Sequence, residues 1–186
     1  STKGLGAHNE DPSLPGYTEE GAKAGHQSDI GMAQPPQAMS GMLGTFYHRI
    51  PLLHPDLKEV GIGFTKFGGE RGGWGGGRCV IDYSGVSTEK DEKSPRIVAY
   101  PAEGQTNVQR AFDNENPDPL PGGDEEAGIA ISLTFFDEPE VRDAAVEVTE
   151  KSGVSVDGYL SSQEKPARSD FPNEHSIVFI PSNPLD

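Results

Sequence analysis

The sequence predicts two domains of different class, an α/β layered domain over residues 1–93 and an all-β domain over residues 94–186. Three observations carry this. Apolar side chains recur at spacings of three and four in Met39, Met42, Leu43, Phe46 and Tyr47, which is the pattern of an amphipathic helix. From Val60 the period becomes two, and after the polar stretch Val86 to Ser94 (VSTEKDEKS) every apolar run is short and bounded by turn-forming residues. The 24 Gly and 16 Pro among 186 residues leave little room for long regular elements, which favours two small domains over one large one.

Taken in order, Ser1 to Gly16 is polar and broken by Gly and Pro, an irregular approach segment. Thr18 before Glu19 and Glu20 reads as the N-cap of a short helix, with the acids at its positive end. Pro35 and Pro36 open the amphipathic helix, which is expected to run to about His48 because Pro51 lies just beyond. Val60, Ile62 and Phe64 alternate with Gly61, Gly63 and Thr65 as in a half-buried strand. Gly68 to Gly77 (GGERGGWGGG) is expected to be a hairpin loop that orders only where Trp74 packs on a neighbouring surface. Cys79 to Tyr83 (CVIDY) is the returning strand. A phosphate-cradling reading of this loop carries little weight, since neither a Lys-Ser or Lys-Thr pair nor a helix pattern follows. In the second half, Ile97 to Tyr100, Ile129 to Phe136, Ala145 to Thr149, Val154 to Leu160 and Ser176 to Ile180 read as strands of a β-sandwich, with Asn116 to Gly123 (NPDPLPGG) as a turn cluster.

Thirty acidic against 15 basic residues give a net charge of −15, which repels a phosphate backbone and an anionic membrane alike and excludes nucleic acid as the main partner. The lone Cys79 cannot form an internal disulfide, and its apolar strand context is that of an inert core thiol. No apolar run approaches the roughly 20 residues that span a bilayer, so the chain is expected not to be transmembrane. No signal peptide opens the chain. The abrupt start at Ser1 and the stop after IVFIPSNPLD suggest a processed or partial polypeptide.

Phe46-Tyr47-His48-Arg49-Ile50-Pro51-Leu52-Leu53-His54-Pro55, followed by Val60-Gly61-Ile62-Gly63-Phe64, resembles the segment of bacterial CAP (SCP-like) domains in which a helix ends in His-Arg, continues through a Leu-Pro turn and enters a Val-Gly-x-Gly strand. That superfamily includes the cysteine-rich secretory, antigen 5 and pathogenesis-related proteins. Gly6-Ala7-His8-Asn9-Glu10 and Pro15-Gly16-Tyr17-Thr18 are similar to the place where such domains carry their first histidine. The resemblance covers Gly4 to Tyr83 and implies an αβα CAP-like first domain, incomplete at its N-terminus because the helix before the first histidine is absent. It departs from the family at Gly25-His26-Gln27, where a Gly-Glu-Asn motif is expected. Pro95 to Gly104 with Asn107-Val108, Ser132 to Phe135, and Ile177 to Leu185 are similar to Ig-like domains of bacterial surface and S-layer proteins. This implies an Ig-like sandwich over residues 94–186 whose last strand is not included.

The resemblance implies that His8 and His48 face one cleft, where neutral imidazoles can hold a divalent ion such as zinc. The other reading of both is as hydrogen-bonded structural histidines. Two nitrogens alone make a poor metal site, and a third ligand would have to come from Glu10, His26 or Asp29. Arg49 is expected to anchor the turn through carbonyls or a carboxylate, and the cleft set is therefore His8, Glu10, His26, His48 and Arg49. Asp82 could face the same cleft, while His54 and His175 sit in turn contexts that point to solvent. A hydrolase would use His48 with Glu10 as base, but no nucleophile elbow, His-Glu-x-x-His helix or Cys/His pair supports it. The expectation is thus a secreted or cell-surface binding or scaffold protein without cofactor. Its partners would be a protein, glycan or lipid ligand, or another copy of itself, and the competing reading is a metal-assisted hydrolase.

Overall fold

The computed structural model describes residues 8–66, 77–112, 115–120, 126–137, 140–171, 173 and 175–185. The chain divides into two units, one made of Ser1–Met42 and Asp56–Lys90, the other of Leu43–Pro55 and Asp91–Asp186. The segment carrying Tyr47, His48 and Arg49 therefore belongs to the second unit although it lies in the first half of the sequence.

In the first unit, helix α1 (Glu19–His26) starts where Thr18 Oγ1 accepts the Gly21 N–H at 2.8 Å, with Glu19 and Glu20 at its positive end. Strand β1 (Ser28–Gly31) and helix α2 (Pro35–Gly44) follow; the short helix α3 (Arg49–Leu52) lies in the segment that belongs to the second unit, and strands β2 (Leu57–Lys66) and β3 (Gly77–Val86) belong to the first. Strands β1, β3 and β2 form an antiparallel sheet with β3 in the centre. Gly31 admits α2 closely, since a Cβ there would lie 3.2 Å from the Ala38 Cβ and 3.3 Å from the Met42 Cε. By register Gly31 stands opposite Cys79 and Asp29 opposite Ile81, so the buried Cys79 and Ile81 share the face on which α2 packs. The Cys79 thiol is pushed up by burial, as suits an inert core group.

In the second unit, strands β4 (Ile97–Tyr100), β5 (Ile131–Phe135), β6 (Gly158–Ser161) and β7 (Ser176–Pro181) form one antiparallel sheet in the order β4-β5-β7-β6. Its inward face meets Phe46, Tyr47, Leu120, Ala127 and Ala130, which pack with Val178 and Ile180 as the core.

The fold differs from the expected αβα layering followed by a sandwich. Among the described residues the chain is mostly β, with two antiparallel sheets of three and four strands and three helices, the longest of 10 residues. Helical layers do not form because α2 stops at Gly44 instead of running to His48. The second sheet of a sandwich is lacking among the described residues because the runs at 145–149 and 154–156 join only through one isolated bridge, Thr149 to Ser155. Strand β2 is also less covered than its alternation implies. Val60, Ile62 and Phe64 remain 37%, 55% and 36% exposed, because β2 is an edge strand and α2 packs where β1 and β3 lie. The Gly68 to Gly77 loop and Trp74 lie outside the described residues, Gly77 excepted.

Candidate functional site: a buried Arg49 and a Glu115 clasp

The turn between α2 and α3 presents three consecutive backbone N–H groups, those of Phe46, Tyr47 and His48, outside the hydrogen-bonding of either helix. Glu115, from the proline-rich stretch of the second unit, takes them up. Its Oε1 accepts the Phe46 N–H at 2.6 Å, and its Oε2 accepts the N–H groups of Tyr47 at 3.0 Å and His48 at 3.5 Å. The same oxygen lies 2.8 Å from His48 Nδ1, with the Glu115 side chain wholly buried and that of His48 23% exposed. By taking three successive backbone N–H groups, Glu115 acts as a clasp on the start of α3. Thr45 Oγ1 lies 3.4 Å from the same nitrogen.

Arg49 is the positive counterpart. It has no exposed surface, and its Nη2 donates to the Ala130 carbonyl at 2.6 Å and to Ser132 Oγ at 3.1 Å, while Nη1 donates to the Leu43 carbonyl at 3.4 Å. The guanidinium lies 4.3 Å from the centre of the Tyr100 ring, a cation–π contact. Burial lowers its pKa to about 10, opposed by Tyr100 and Glu115, so Arg49 stays charged at neutral pH. The core is completed by Tyr47, tilted against Phe46 at 4.8 Å and edge-on to Phe171 at 4.6 Å. Burial, and after it the charge of Glu115, raises the Tyr47 phenol to about 12.

The cleft residues expected from sequence divide between the units. His8, Glu10 and His26 belong to the first, and His48 and Arg49 to the second. His8 is exposed and holds the Gly25 carbonyl through Nδ1 at 2.8 Å, so it pins the end of α1. The Glu10 carboxylate lies close to Gly21 at the start of the same helix, and His26 occupies its exposed last turn. Asp29 is buried on β1, and its charge and that of Asp82 help burial to raise the Tyr83 phenol. His54 packs edge-on against Phe136 at 4.8 Å. Arg49 anchors its turn through carbonyls, as the sequence suggests. Among the described residues no group of three or more His, Cys, Asp and Glu side chains comes together to hold a metal ion.

Glu115 is the residue that sequence reasoning missed. A single acid among thirty carries no compositional signal, and it sits beside a proline cluster that reads as a solvated turn. The one local hint is that this polar stretch is flanked by Phe112 and Leu120, both of which pack into the core.

An imidazole whose Nδ1 is fixed by a carboxylate is half of a general base or of an oriented metal ligand. The other half, a converging set of ligands, is not present among the described residues. The rest of the geometry is structural, since each contact of Glu115 and Arg49 named above closes a turn or a core gap. Neither a family model, nor a curated protein, nor a solved structure matches the chain.

Proposed function

We propose that the protein is a non-enzymatic binding or scaffold module of a bacterial surface or secretome. The observation that carries this reading is how the candidate catalytic groups are employed. His48 is engaged by a carboxylate that also takes three backbone N–H groups, and Arg49 is consumed by carbonyls and an aromatic face. Such groups hold a fold and are poorly placed to change partners during a reaction cycle. The surface or secreted setting rests on the resemblance of the Tyr47-His48-Arg49 and Pro95 to Gly104 segments to exported bacterial proteins, and the partner is a protein, a glycan or a lipid headgroup, or a second copy. A net charge of −15 disfavours nucleic acid and anionic bilayers. Among the described residues no helix is long and apolar enough to cross a membrane.

The test is metal content and hydrolysis together. Purified protein dialysed against buffer is expected to carry zinc far below one ion per chain and to hydrolyse p-nitrophenyl esters no faster than the His48→Ala variant. Stoichiometric zinc, lost in that variant together with an esterase activity, would establish the hydrolase reading instead.

A further inference from the structure

We draw no further inference here: the strongest candidate, the edge strand β2 of the first unit, where Val60, Ile62 and Phe64 stand exposed at alternate positions, is an apolar strand edge, and nothing among the described residues shows what covers it.

Discussion

The turn around His8 and the turn around His48 hold their imidazoles by different means. His8 is at the surface of the first unit and makes a single described hydrogen bond, to the Gly25 carbonyl. His48 in the second unit adjoins a buried carboxylate that also takes three backbone N–H groups, beside a wholly buried guanidinium. Water can replace the first bond at little cost. Water reaches the partly exposed His48 ring but not the Glu115 carboxylate or Arg49, so a contact broken at either of these leaves an unsatisfied group in the core. The comparison teaches that two residues of one type, paired by sequence, differ in worth by the solvent access of their partners.

The largest effect is expected at Arg49. Arg49→Ala leaves the Ala130 and Leu43 carbonyls and the Ser132 hydroxyl without their donor and opens a cavity beside Tyr100, at about 4 kcal/mol. Urea denaturation measures it, and a cost under about 1 kcal/mol would mean that the buried charge is not needed. Glu115→Ala comes next, at about 3 kcal/mol, since it strands the N–H groups of Phe46, Tyr47 and His48. Glu115→Gln should recover part of this, because the amide oxygen still accepts.

A smaller effect appears only at high pH. The Tyr47 phenol titrates at about 12 in the folded chain against 10.0 ordinarily, so the fold favours the neutral form. That contribution is complete below pH 10 and is lost as pH rises towards about 12. Wild type is therefore expected to lose more stability than Tyr47→Phe between pH 9 and pH 11.5 in parallel denaturation curves, and parallel profiles would count against a buried phenol. At the small end, His8→Ala should cost less than about 0.5 kcal/mol, as expected for an exposed side chain. A cost above about 1.5 kcal/mol would show that His8 is as deeply committed as His48.

What the sequence reveals depends on how far each determinant reaches. The Thr18 cap is legible because it acts within three residues, and strands β2, β3, β4 and β7 are legible because alternation and turns bound them locally. The end of α2 is not, since the carboxylate that takes the N–H groups beyond Gly44 comes from Glu115, 67 residues after His48. The β character of the second unit is local and visible, whereas the number of sheets depends on whether the runs near Thr149 and Ser155 join neighbours. Alternation at Ile131 to Phe135 announces a strand but not which face turns inward. Here Ser132, which accepts from Arg49, and Thr134 are the buried positions, and Leu133 is exposed. Arg49 as a turn anchor was readable from its place beside His48, because a guanidinium next to a helix end has carbonyls within reach.

The most direct test of the account is a double-mutant cycle between His48 and Glu115, read by urea denaturation of the wild type, His48→Ala, Glu115→Ala and the double variant. If the pair builds the turn, His48→Ala costs about 1 kcal/mol alone and the two changes are coupled by about 1 kcal/mol. Additive costs, with His48→Ala leaving stability unchanged while abolishing metal retention or a hydrolytic activity, would contradict it.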